Sequence, residues 1–154
     1  MTKLHRLIVA THLIRPARAS DASPIAGLLA ELGYPDEVAN VRARLERLIA
    51  REDTDVLVAE LGGEVAAVAA YHLMDLPERP QPRCRITALV VHGDARRRGV
   101  ASALLERIES LAAQGGCCRL EVTTQVQRED AAGLYLAFGF RERRRRLVKP
   151  IGVR

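Results

Sequence analysis

The alternation of apolar and polar positions predicts strands and helices in a mixed order. Thr11 to Ala17 reads as a short strand, with Leu13 and Ile14 apolar and Pro16 acceptable at an edge or a strand end. Ser20-Asp21-Ala22-Ser23-Pro24 offers capping oxygens and a first-turn proline. A helix then runs to about Leu32, with Ile25, Leu28, Leu29 and Leu32 on one face and Gly33 as its stop. A turn through Tyr34-Pro35 leads to Asp36 or Glu37, where a second helix opens. Its apolar stripe is Val38, Val41, Leu45, Leu48 and Ile49, and Arg42, Arg44, Glu46 and Arg47 face water. Asp55 to Leu61 and Glu64 to Met74 are β-rich runs separated by Gly62-Gly63, a strong hairpin signal. The second run is rich in alanine (Ala66, Ala67, Ala69, Ala70), which suggests close approach by a helix or a ligand.

Beyond a proline-rich loop from Asp75 to Arg83, Cys84 to Val91 reads as the central strand. A helix from Gly99 to Gln114 follows, turning Ala101, Leu104, Leu105, Ile108, Leu111 and Ala112 inward and ending at Gly115-Gly116. Cys118 to Thr124 is the next strand, expected to lie parallel to the central one in a right-handed crossover. A short helix from about Glu129 to Ala137 turns at Phe138-Gly139-Phe140 into a last strand pair ending near Val148. No repeat or linker divides the chain, and the expectation is one domain over 1–154, with 1–10 as an N-terminal extension.

Composition narrows the class. A chain of 154 residues with 48% hydrophobic content can bury a core without staples. Aromatics make up only 3%, with no Trp, so that core is aliphatic. Cys84, Cys117 and Cys118 are odd in number and show no metal-ligand spacing, which points to reduced thiols in a cytoplasmic protein and to no metal. The apolar run in the first ten residues is too short for a signal peptide, and no stretch is long enough to span a membrane. The net charge of +5 permits anionic partners. Arg141 to Arg146 is a run of basic residues without interleaved aromatics to stack on bases, which argues against nucleic acid and for a solvated loop.

Candidate chemistry concentrates where the central strand meets its helix, in Leu89-Val90-Val91 and Arg96-Arg97-Arg98-Gly99-Val100-Ala101-Ser102. A helix N-terminus has about four backbone N–H groups without intrahelical partners and the positive end of the helix dipole. Three arginines and a glycine that lets a ligand approach the backbone make that terminus a phosphate cradle. Arg96-Arg97-Arg98-Gly99-Val100-Ala101 fits the Q/R-x-x-G-x-G/A pattern and resembles the GNAT superfamily of acetyl-CoA-dependent N-acetyltransferases. Residues 128–140 are similar to that family's N-x-x-A-x-x-x-Y-x-x-x-G-F: Ala131, Tyr135, Gly139 and Phe140 match, and Arg128 stands at the asparagine position.

The resemblance covers roughly Leu13 to Lys149. It implies an α/β (α+β) fold with a central mixed, mostly antiparallel sheet of about six or seven strands and about four flanking helices. The sheet is expected to splay at the acetyl-CoA site, where the backbone of Leu89-Val90-Val91 would meet the pantetheine arm and polarise the thioester carbonyl. Arg96 to Ser102 would hold the pyrophosphate, and Arg128 would substitute for the asparagine contact. Tyr135 would protonate the departing thiolate. The implied activity is acetyl transfer to a primary amine of a small molecule or a protein by direct attack in a ternary complex. Superfamily members often cover open sheet edges by dimerising, so a homodimer is expected.

The base is open at this stage. Relatives often carry a glutamate early in the central strand, where Arg85-Ile86-Thr87 stands here, and arginine cannot serve as a base. His72, Asp75 and Glu121 are the candidates, with a water relay as another route. Acceptor contacts are expected from Glu31, Tyr34, Tyr71 and His72. The competing reading is a catalytically weak acyl-CoA sensor or regulatory module.

Overall fold

The structure is a computed structural model that describes residues 12–123, 129–143 and 146–152. The expected N-terminal extension, Arg128 and the centre of the arginine run lie outside these residues. Contacts between residues group the chain into two compact units, 1–123 and 124–154.

In the first unit, β1 (Leu13–Pro16) precedes α1 (Ala22–Glu31) and α2 (Val38–Ile49). The hairpin β2 (Thr54–Leu61) and β3 (Glu64–Met74) follows, then β4 (Arg83–Val91), α3 (Val100–Gln114) and β5 (Leu120–Val122). The sheet order is β1-β2-β3-β4-β5, antiparallel up to β4 and parallel between β4 and β5. The hairpin turns on two left-handed glycines, Gly62 at φ 60° and Gly63 at φ 83°, the backbone that a two-residue turn between twisted strands requires.

Side-chain alternation assigns the faces. Val56, Val58, Val68, Ala70 and Val90 form a cluster with Ile25, Ala26 and Leu28 of α1 and Val41 and Leu45 of α2. The opposite face takes α3, which buries Val100, Leu104, Leu105, Ile108 and Ala112. The alanines of β3 are buried between the layers and let helices approach on either side. Val38 and Ile49 differ from expectation: at the two ends of α2 they rotate off its stripe and are exposed.

Two bulges interrupt the ladder. Ala59 pairs with Ala67 but Glu60 with Val65, so Ala66 is the extra residue of β3. Ala70 pairs with Ala88 but Tyr71 with Ile86, so Thr87 is the extra residue of β4.

The second unit contains α4 (Glu129–Phe138), which ends where Gly139, at φ 110°, lets the Phe140 N–H reach the Tyr135 carbonyl at 2.9 Å. The expected final strand pair is absent among the described residues, so the described sheet has five strands instead of six or seven. Leu147 and Val148 follow a run of arginines and are exposed.

Candidate functional site

The site grows from the point where β4 loses its parallel neighbour. The β4–β5 ladder consists of Cys84–Leu120, Arg85–Glu121 and Ile86–Val122, and among the described residues it ends there. The next residue is Thr87, the bulge, whose hydroxyl donates to the Ala70 carbonyl at 3.4 Å. Among the described residues, Ala88 to Val91 pair with β3 alone. The second backbone edge of Leu89, Val90 and Val91 therefore has no strand partner among the described residues. The Val90 side chain belongs to the core, so only its main chain is available at this edge.

His92 closes the strand. Its N–H donates to the Ala66 carbonyl at 2.8 Å, and its Nδ1 accepts from the Asp94 N–H at 3.1 Å, capping a helical turn over Gly93–Ala95. Its Nε2 lies 3.3 Å from Glu31 Oε1, bringing the end of α1 to the end of β4.

The cradle follows. Arg97 adopts φ 63°, a left-handed backbone that a long side chain seldom takes, and Gly99 adopts φ 76° as the N-cap of α3. The first helical bond of α3 runs from the Ala103 N–H to the Gly99 carbonyl at 3.0 Å. The N–H groups of Val100, Ala101 and Ser102 therefore precede the ladder and have no intrahelical acceptor. No protein atom lies within 4 Å of the position a Cβ would take at Gly99, so the glycine answers to its backbone angle and to open space in front of it. Arg96 reaches back to the Val91 carbonyl at 3.4 Å, while the exposed side chains of Arg97 and Arg98 have no ion-pair partner among the described residues. Donors, positive charge and open space suit a pyrophosphate, and a free strand edge with alternating N–H and C=O groups suits the amides of a pantetheine arm.

His12 is a site residue that sequence reasoning missed. Its Nε2–H donates to the Arg98 carbonyl at 2.9 Å, tying the cradle to the start of β1, and its Nδ1 is buried without a partner. No local pattern announces a contact across 86 positions. His92 had a readable signal, since a side-chain acceptor directly before Gly93-Asp94 is a cap in the making.

The expected acceptor residues separate. Glu31 is exposed beside His92, and Tyr34 is exposed in the turn after α1. Tyr71 is instead a core residue, 1% exposed on the α3 face, and its hydroxyl donates to Asp55 Oδ2 at 2.7 Å. Burial is the main reason its phenol is pushed well above the ordinary tyrosine range, with the Asp55 bond adding to it. His72 points to the other face, where its Nδ1 meets Thr54 Oγ1 at 2.7 Å. Glu121 is held by Arg83 at 2.9 Å and by Arg85 at 2.5 Å. Asp75 lies just past β3 and contributes with burial and Cys118 to raising the Cys117 thiol. In the second unit, Tyr135 is 8% exposed and packs edge-on against Phe140, with centroids 5.4 Å apart. No group of His, Cys, Asp and Glu suited to a metal occurs among the described residues.

The first unit is a mixed sheet with helices on both faces and an open helix N-terminus beyond the end of β4. The family model described as Acetyltransferase (GNAT) family matches residues 24–140, and the chain belongs to that family. Among solved structures it is similar to a transcriptional regulator from Bacillus halodurans C-125, with a TM-score of 0.83 and 22% identity over 92% of this chain and 100% of that one. It is also similar to the aminoglycoside N-acetyltransferase AAC(6')-Iy in complex with CoA, with a TM-score of 0.81 and 19% identity over 92% and 95%. A third likeness is to a ribosomal-protein-alanine N-acetyltransferase from Brucella melitensis biovar Abortus 2308, with a TM-score of 0.76 and 20% identity over 92% and 100%. No curated protein matches the sequence.

Proposed function

We propose that the protein transfers an acetyl group from acetyl-CoA to a primary amine of a small molecule or a protein within a ternary complex. The observation that carries this reading is the continuity of the free β4 edge with the cradle, where the ladder stops at Ile86–Val122 and the strand runs directly into the turn before α3. In this reading Arg96, Arg97, Arg98 and the N–H groups of Val100, Ala101 and Ser102 hold the pyrophosphate, with Gly99 leaving room for it. The main chain of Leu89, Val90 and Val91 aligns the pantetheine arm, and one N–H there polarises the carbonyl. When bound, acetyl-CoA supplies an activated acyl group on a thiol leaving group. Tyr135 hands a proton to the departing sulfur. Glu31, beside the end of β4, and Tyr34 border the acceptor. The family's CoA-bound member supports the choice of cosubstrate.

The test is Gly99→Asp, with coenzyme affinity measured by calorimetry. Aspartate is among the side chains that enter the left-handed region most readily, so the variant folds with a small backbone penalty while placing a carboxylate in the cradle. Binding should weaken at least tenfold, and thiol release should fall with it. Wild-type affinity refutes the placement. A homodimer belongs to the same proposal, and a monomeric mass by light scattering at micromolar concentration refutes that part.

A further inference from the structure

An alkylammonium must lose a proton before its nitrogen can attack a carbonyl, and few described side chains on the α1/α2 face beside the open edge of β4 can take it. The lone pairs of Glu121 are directed at two guanidiniums, those of Arg83 and Arg85. His72 is held differently. Thr54 is 3% exposed, and its single hydroxyl proton goes to Asp53 Oδ1 at 3.0 Å, because a carboxylate can only accept. Arg51 Nε donates to the same hydroxyl oxygen at 3.3 Å and to Asp53 Oδ1 at 2.9 Å, which keeps the hydroxyl pointed. The proton between Thr54 Oγ1 and His72 Nδ1 is therefore the imidazole's. Nδ1–H donates, Nε2 keeps its lone pair, and no hydrogen bond among the described residues engages Nε2.

The position suits the role. His72 pairs with Arg85 and lies two residues along β3 from Ala70, the partner of Ala88, where the open edge begins. At about 3.3 Å per residue this is roughly 7 Å along the sheet, on the face that also carries Ala70 and Val90.

We propose that His72 Nε2 is the proton acceptor of the reaction and that Thr54, aimed by Asp53 and Arg51, is its positioning residue. The assignment rests on the acetyl-transfer reading. His72 takes one proton from the acceptor ammonium and passes it to solvent. The amine nitrogen then bonds to the acyl carbon as the carbon–sulfur bond breaks. The electron pair leaves on sulfur, which gains a proton from Tyr135, and the nitrogen loses a second proton, which restores the phenol. The sum is one amide, one thiol and one proton released.

Two measurements test it. Long-range proton–nitrogen correlation spectra of the ligand-free protein at about pH 8.5 should show His72 protonated on Nδ1 and bare on Nε2, and Thr54→Val should mix the tautomers. A wild-type ring protonated on Nε2 overturns the proposal, and this arm decides even if Thr54→Val does not fold. Initial rates are then taken with acetyl-CoA and kanamycin, spermidine or an alanyl peptide. His72→Gln should lower kcat by about 10²–10⁴-fold with unchanged coenzyme affinity. Thr54→Val should lower it roughly tenfold, the scale of one lost hydrogen bond, and Thr54→Ser should restore it. A His72→Gln rate within twofold of wild type overturns the assignment while acetyl transfer stands. No turnover by the wild type with any of the three overturns both.

Discussion

Asp21→Asn should cost more than its conservative chemistry suggests, because Asp21 anchors β1 to the start of α1. Its two carboxylate oxygens accept from Arg15 Nη1 and Nη2 at 2.8 and 2.9 Å, and one of them also accepts from the Arg18 N–H at 2.7 Å. Arg15 Nε donates to Glu60 at 2.7 Å, and the Arg15 and Asp21 side chains are only 16% and 9% exposed. Removing one partner of a buried pair costs about 3–5 kcal/mol. Arg15 keeps Glu60 and asparagine still accepts one bond, so the figure here is about 2–3 kcal/mol. At ~2–4 °C per kcal/mol for a chain of this size, Tm should fall by roughly 4–12 °C. The Arg15 bond is the main reason the Asp21 carboxyl titrates below the usual carboxylate range, against the opposing effect of burial. A depressed folded value contributes stability that is full above the unfolded pKa near ~3.9 and is lost as pH falls through the folded one. The gap between wild type and variant should thus be complete at neutral pH and narrow below about pH 4. Thermal melts by circular dichroism at neutral and acid pH read this directly. A neutral-pH Tm within a degree of wild type, or a gap that stays constant into acid, refutes the reasoning.

Tyr135→Phe keeps the edge contact with Phe140 and removes only the hydroxyl. If the phenol protonates the leaving sulfur, kcat should fall about 10²–10⁴-fold in a thiol-release assay while calorimetry finds coenzyme affinity unchanged; a kcat within twofold of wild type makes the residue structural. Alkylation followed by mass spectrometry should label exposed Cys118 first and leave Cys84 unlabelled until the protein unfolds, because Cys84 is buried and its thiol is pushed up to about 12 by desolvation first and Cys117 second. Equal labelling rates contradict the packing described for β4.

Much of this architecture was legible because local rules and tertiary context agree. Gly62-Gly63 stands where two strands must reverse, and both residues take the left-handed backbone that only glycine adopts cheaply. Leu104, Leu105, Ile108 and Ala112 repeat at helical spacing and are buried on one side of α3. The residues of the proposed cradle are contiguous in the sequence, and Gly99 takes the left-handed backbone at the start of α3. What was hidden depends on register and on distance along the chain. Tyr71 and His72 looked equivalent, yet strand alternation puts one in the core and the other over the α1/α2 face. The Thr54–His72 and His12–Arg98 contacts join residues 18 and 86 positions apart, and no periodicity encodes such pairs. The terminal strand expected near Val148 is not seen among the described residues, where the apolar pair Leu147–Val148 follows a basic run and is exposed.

The extra residue at Thr87 acts as a change of phase. Before it, Ile86 is buried against Tyr71; after it, Ala88 and Val90 lie under α1 and α2, with Leu89 and Val91 across from Ala69 and Ala67. Deleting Thr87 would leave Ile86 opposite Tyr71 and Ala88 opposite Ala70 in a regular ladder, whereas losing a residue from Ala88 to Val91 would move every later position of the strand to the other face. The proline loop from Asp75 to Pro82 can absorb such a change, because it joins strand ends and lengthening a surface connection costs little. Insertions and deletions should therefore be well tolerated in the loop before Arg83 and poorly tolerated between Ala88 and Gly99. In that second interval, the count of residues is part of the geometry of the proposed site.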